Sequence, residues 1–146
     1  MTAHVMSHGE VDAFLRKRGT GVLSLTADAE TYAIPESFGY DGDALYFQFG
    51  YDDDSDKLSY VSTTDVATFT AYTVDPARSV VARGGIESLP AADADRATAA
   101  MAANATIPNV NVSPEADDGD VDFAFYRLQP EELSGRAFGP SSSGSD

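Results

Sequence analysis

The apolar positions change period early in the chain. Val11, Phe14 and Leu15, with Arg18, recur at helical spacing, and Ser7 and Glu10 form an S-x-x-E capping box ahead of them. Gly19 stands where such a helix should stop. From Thr20 the period becomes two. Thr20–Ala27 alternates as a strand, with Leu23 and Leu25 on one face and Val22, Ser24 and Thr26 on the other. A polar turn at Asp28-Ala29-Glu30 leads to a second strand, Thr31–Tyr40, whose Tyr32, Ile34, Glu36, Phe38 and Tyr40 share a face. Asp41-Gly42 is a hairpin signal, and Ala44–Phe49 is the third strand.

The second half repeats the pattern with different punctuation. An acidic connection at 51–56 enters a short helix carrying Lys57, Leu58 and Val61. Asp65–Val74 is β-branched and aromatic, hence a fourth strand, and Asp75-Pro76 is a turn. Ser79–Leu89 is a fifth strand, in which Gly84-Gly85 predicts a bulge or a close backbone approach. Pro90–Asn104 is alanine-rich and helical, 105–120 is a polar acidic loop, and Val121–Leu128 is a sixth strand. The Ser/Gly-rich segment Gly139–Asp146 reads as a disordered tail behind a single domain at 1–138. Strands joined by tight turns predict a mainly β (α+β) fold, a six-stranded antiparallel barrel or sandwich with short flanking helices. Strand and helix never alternate regularly, which excludes a doubly wound parallel sheet.

Composition narrows the function. Hydrophobic residues make up 42% of the 146 residues, enough for a core, and no apolar run reaches the ~20 residues of a membrane span. There is no cysteine, which removes disulfides and thiolate chemistry. The net charge is −15, with Lys17 and Lys57 the only lysines. Such a chain repels nucleic-acid phosphates and anionic membranes. Its self-repulsion fades at ~1 M salt, where the screening length is ~3 Å. A cytoplasm rich in salt is the expected setting; an ordinary acidic protein is the alternative.

Few side chains are placed for acid–base or nucleophilic chemistry. The only histidines, His4 and His8, sit near an N-terminus expected to be mobile, whereas a Ser-His-Asp triad needs a rigidly held imidazole. The run Asp52-Asp53-Asp54-Ser55-Asp56 lacks the central glycine and closing glutamate of an EF-hand loop and reads as a solvated acidic turn, so no metal site is expected. Glu36 shares a strand face with Ile34 and Phe38; a solvated position near a rim is the expectation, a buried carboxylate the alternative. Pro35 cannot donate to a ladder and predicts an edge. That edge is either plain or leaves backbone groups of Ile34–Ser37 for the polar rim of a planar ligand. Ser55 and Lys57 are either a phosphate seat at a helix start or a cap and a lysine balancing neighbouring acids.

In their order along the chain these pieces resemble the pyridoxamine 5′-phosphate oxidase-like, FMN-binding split β-barrel family, over roughly residues 7–138. Phe14-Leu15-Arg16 and Gly21–Leu25 resemble its opening helix and first strand, and Tyr32–Phe38 its second strand with a proline. Leu45-Tyr46-Phe47 followed by Ser55-Asp56-Lys57-Leu58 resembles the third strand and phosphate-binding turn, and Glu131–Arg136 the closing strand. The resemblance implies a homodimeric flavin-dependent oxidoreductase with FMN between subunits. Backbone groups of Ile34, Pro35, Glu36 and Ser37 would meet the isoalloxazine. Phe47 and Gln48 would line the ring, and Ser55 and Lys57 would hold the phosphate. Arg83 and Gly84 would add contacts, and Arg136 and Phe138 would reach across from the partner. No side chain need act as acid or base, because the flavin carries the redox chemistry toward a small-molecule substrate or electron donor. The alternatives on the same fold are a reductase using the deazaflavin F420, a haem protein, and a cofactor-free binding or sensor protein.

Overall fold

The computed structural model describes residues 2–50, 60–104 and 123–139. The capping box forms as read: Ser7 N–H donates to Glu10 Oε1 (2.7 Å) and Glu10 N–H to Ser7 Oγ (3.2 Å), starting helix α1 (His8–Lys17). Val11, Phe14 and Leu15 are its buried face. A strand the sequence did not suggest precedes it. β1 (Thr2–Val5) pairs with the end of the chain's last strand, His4 opposite Ala137, so the N-terminal residues expected to be mobile belong to the sheet. Their strand comes from partnership across the fold, which no local periodicity announces.

β2 (Thr20–Ala27) and β3 (Glu30–Ser37) form a hairpin in full register, closed by Asp28 in the left-handed region (φ 55°). The expected second strand breaks at Phe38. Its last part is β4 (Gly39–Tyr40), which turns away from β2 to pair with β5 (Leu45–Gly50). Helical residues 60–63 (α2) follow, then β6 (Ala67–Val74) and β7 (Ala77–Ser88) in a second hairpin. A 3-10 turn at Ala91–Asp93 precedes α3 (Ala94–Asn104). The sixth expected strand, 121–128, is longer than predicted: β8 runs Phe123–Gly139. Pro130 does not end it, because it lies at the bulge where Arg83 pairs with Glu132 but Gly84 with Pro130. Gly84 permits that bulge: a Cβ there would lie 2.0 Å from the Gln129 carbonyl oxygen.

The described strands form one antiparallel sheet in the order β3-β2-β6-β7-β8-β5-β4, with β1 pairing β8 off this path. Seven strands therefore follow the path instead of the expected six, because Phe38 divides one strand in two. β3 and β4 are also the two ends of the path. One stretch of chain, 30–40, thus closes the sheet on itself as a split barrel. Among the described residues of this stretch only Gly39 and Tyr40 pair with β5, so β3 and β5 flank a seam that no described ladder bond closes.

The barrel interior is filled from alternate positions. Leu23, Leu25, Phe38, Phe47, Phe49, Phe69, Val80 and Leu128 are fully buried, with the Phe38 and Phe47 rings 4.7 and 5.2 Å from Phe69. A second, smaller cluster lies outside the sheet, where α3 sets Ala97 and Ala100 on Ala44 and Tyr46. Among the described residues no helix is long and apolar enough to cross a membrane.

Candidate functional site

The seam at β3 is where the proline reading is decided. Phe38 N–H donates to the Gly19 carbonyl (3.1 Å), so amides of the same parity, Glu36 and Ile34, point toward β2. The nitrogens of Pro35 and Ser37 therefore point the other way, toward the seam. Pro35 costs the sheet no ladder bond, and the edge expectation holds. Of the stretch Ile34–Ser37, Pro35 and Ser37 turn their backbone polar groups to the seam, while Ile34 and Glu36 turn theirs into the ladder.

Side chains divide by the same alternation. Pro35 and Ser37 point outward, and Ile34 and Glu36 inward, like Phe38. Glu36 is buried, with 4% of its surface exposed, which corrects the expectation of a solvated rim position. Inward parity carries it inside opposite Gly21, where the Phe69 ring packs against β2. On β5, Phe47 is fully buried in the barrel core and Gln48 is half-buried on the opposite face. Gly84 is buried in its bulge. Ser55, Lys57 and the Asp52–Asp56 run lie outside the described residues.

The remaining residues singled out in the sequence lie on one surface. Residues paired across an antiparallel ladder share a face. The registers run Pro35–Val22–Thr70–Val81–Ser134 in one row and Ala33–Ser24–Thr68–Arg83–Glu132 in the next. A third row runs Tyr72–Ser79–Arg136–Val5, and Phe138 pairs with Ala3 at the same end. Pro35, Arg83, Arg136 and Phe138 thus share the outer face of β3-β2-β6-β7-β8-β1, and Ser37 extends it through Thr20.

This face is poor in charge for so acidic a chain. In a chain of net charge −15, its rows hold one carboxylate, Glu132, and Arg83 donates to that carboxylate at 3.0 Å. Arg136 adds a cation. Most other positions are Thr, Ser, Val, Ala or Pro. At one end Val74, Val5, Tyr72 and Phe138 are 78, 69, 58 and 38% exposed. Sequence reasoning named the arginines and Phe138 but missed this surface. Its signal was the outward set Thr68, Thr70, Tyr72, Val74, which carries no charge in so acidic a chain.

A separate polar network lies where α1, the β4–β5 hairpin and α3 meet, built on Asp12 and Asp41. Asp41 accepts from the Asp43 and Ala44 amides (both 2.9 Å), the Tyr46 hydroxyl (2.8 Å) and Arg96 Nε (3.1 Å). Burial alone would raise its pKa, but these donors together hold the carboxyl below its ordinary value. Burial and the Asp41 hydrogen bond push Tyr46 up to about 12. Tyr40, buried and donating to Asp12 (3.1 Å), also rises to about 12. Both phenols stay protonated donors at neutral pH, and the cluster works as a brace. Among the described residues no three of His, Asp and Glu gather as a metal site.

Comparison with known proteins adds a family and a fold. The model of the family described as pyridoxamine 5′-phosphate oxidase matches residues 7–137. No curated protein matches the sequence. Among solved structures, a protein from Corynebacterium glutamicum provisionally assigned as a pyridoxamine 5′-phosphate oxidase is 21% identical. It has a TM-score of 0.71, with 94% of this chain and 98% of that one covered. An FAD-binding protein from Mesorhizobium loti is 19% identical, at TM-score 0.71 and coverage of 95% and 100%. The FAD-binding protein of Mycobacterium smegmatis is 22% identical, at TM-score 0.68 and coverage of 93% and 100%.

Proposed function

The chain belongs to the pyridoxamine 5′-phosphate oxidase family, and from that membership we propose that it is a flavin-binding oxidoreductase acting as a homodimer, with FMN as the flavin. The observation that carries this reading is the outer face. It joins the seam-facing backbone of Pro35 and Ser37 to Arg83, Arg136 and Phe138, and the one carboxylate in its rows, Glu132, is paired with Arg83. Similar structures described as FAD-binding support a flavin in general.

The residues fit the group. A flavin ring needs polar partners along one edge, and β3 turns the Pro35 carbonyl toward the seam. Its phosphate needs cations, and Arg83 and Arg136 supply them on this face, with Ser55 and Lys57 assigned by resemblance. When bound, the flavin supplies hydride or electron transfer. The chain's own residues bind and orient it. Phe47, being in the core, supports the β5 wall of the seam from behind rather than stacking on the ring. Glu36 holds its carboxyl inside the barrel, opposite Gly21.

The test is the absorption spectrum of protein purified in concentrated KCl, with released cofactor identified by mass spectrometry. A yellow protein releasing FMN bears the reading out. Release of FAD keeps the flavin and corrects its identity. A colourless protein that refuses FMN but takes F420 moves it to the deazaflavin reductases, and one that refuses both leaves a cofactor-free binding protein. Replacing Lys57 with Ala should weaken FMN retention by about tenfold, the worth of one charge-assisted phosphate contact; unchanged retention at low flavin would remove Lys57 from the site.

A further inference from the structure

We infer that Glu132 keeps the phosphate seat on the outer face exchangeable: its carboxylate occupies Arg83, and a phosphate-bearing ligand must displace it to bind. Resting on the flavin reading, this names the residue that sets how tightly the flavin phosphate is held.

The fold brings one carboxylate to one arginine. β8 carries an extra residue, Glu131, at its bulge, and this sets Glu132 across the ladder from Arg83. Their row, Ala33–Ser24–Thr68–Arg83–Glu132, holds no other charged side chain, and the next row, Pro35–Val22–Thr70–Val81–Ser134, holds none. Arg83 Nη1 donates to Glu132 Oε1 at 3.0 Å, and that is the single contact between the two. The other guanidinium N–H groups point elsewhere, within reach of an oxyanion resting on the face. Thr68, opposite Arg83 on β6 with its Cβ about 5 Å away, adds a hydroxyl to the same spot.

Charge fixes the direction of the effect. The Arg83 and Glu132 side chains are 49% and 70% exposed, and an ion pair so open to water is weak, so Glu132 swings away when Arg83 is taken. Two losses then fall on the ligand. It forfeits the contact it breaks, and it stays beside a carboxylate that repels it. The second loss grows with ligand charge, which for a phosphomonoester is about −1.5 to −2 at pH 7. Neither loss touches riboflavin, which has the same ring without the phosphate. Glu132 therefore acts on the phosphate end alone and narrows the advantage of FMN over riboflavin. A seat built for permanent retention would meet the phosphate with unshared cations. Here the only cation of the two rows is already shared.

The experiment titrates FMN and riboflavin into the flavin-depleted full chain by fluorescence quenching, in the lowest KCl that leaves the circular dichroism unchanged. Glu132→Gln should tighten FMN at least ~5-fold, the worth of one unit charge at ~4 Å in water, and leave riboflavin unchanged. Glu131→Gln removes the same charge one residue away and should change neither. In an Arg83→Gln background the Glu132 substitution should lose its effect, the mark of a shared contact. FMN affinity that is unchanged or weaker in Glu132→Gln, or that rises equally in Glu131→Gln, would overturn the inference while leaving the flavin reading intact. If no variant binds either flavin, the flavin reading falls, and inorganic phosphate decides the inference. The Arg83 Nε–H nuclear magnetic resonance signal should then respond at lower phosphate concentration in Glu132→Gln than in the wild type; an equal response would overturn it.

Discussion

The sheet has two outer faces that solve the same problem differently. Over β4, β5 and the first part of β8, α3 covers the strands. Over β3, β2, β6, β7, the second part of β8 and β1, no described element covers them. The covered half is built for close approach. Ala44, Ala97 and Ala100 are small, and Gly39 lies so near the helix that a Cβ would stand 2.5 Å from the Ala100 carbonyl carbon and the Met101 nitrogen. The uncovered half carries Thr, Ser and Val along the ladders and leaves Tyr72, Val74 and Val5 in water. A sheet buries its apolar face on something. The first half does so within the chain, so its residues serve stability; the second half meets no described element.

This contrast can be broken in order of effect. Replacing Gly39 with Val should cost about 3 kcal/mol, because the helix backbone must lift off β4; denaturant titration in concentrated KCl would measure it, and a loss under ~1 kcal/mol would mean that α3 is not docked as described. Asp41→Asn should cost about 1–2 kcal/mol at neutral pH, since a carboxylate accepting four donors becomes an amide. The pH dependence has a definite sign. The folded carboxyl lies below its ordinary value, so its stabilisation is present above an unfolded pKa of about 3.9 and is lost as pH falls through the folded one. The gap between wild type and Asp41→Asn should close on acidification; a gap constant down to strong acid would show that Asp41 acts through shape alone. Val74→Ser, on the uncovered half, should change monomer stability by less than ~0.5 kcal/mol. A loss as large as that of Gly39→Val would erase the distinction between the halves.

The sequence announced those parts of the fold whose causes are local. The capping box, the β2–β3 alternation, the Asp41-Gly42 turn and the Gly84 bulge each depend on residues a few positions apart. What it concealed depends on partners far along the chain. β1 is a strand because β8 passes beside it, and β8 continues past Pro130 because its own bulge at Glu131, opposite Arg83 and Gly84 of β7, gives the proline a place. Glu36 illustrates the same limit: its parity was legible, but its burial depended on what the barrel placed over Gly21. The candidate site was half legible. Pro35, Ser37, Arg83, Arg136 and Phe138 converge on one face. Phe47, Glu36 and Gly84 share their strands but turn inward, since a motif marks a stretch of chain and alternation assigns its side chains to opposite sides.

The strand that bends at Phe38 also acts as a check on its own alignment. Its first part must match β2 and its second part β5, whose pairing with β8 joins residues some eighty positions apart in sequence. A slip of one residue along β2 would turn the proline nitrogen toward a ladder that needs an N–H, carry Glu36 out and Pro35 in, and pull Gly39 and Tyr40 off β5. One error would thus be penalised in three places at once, so the misaligned hairpin cannot persist while the ring closes. A proline that reads as a weakness in the strand enforces its register.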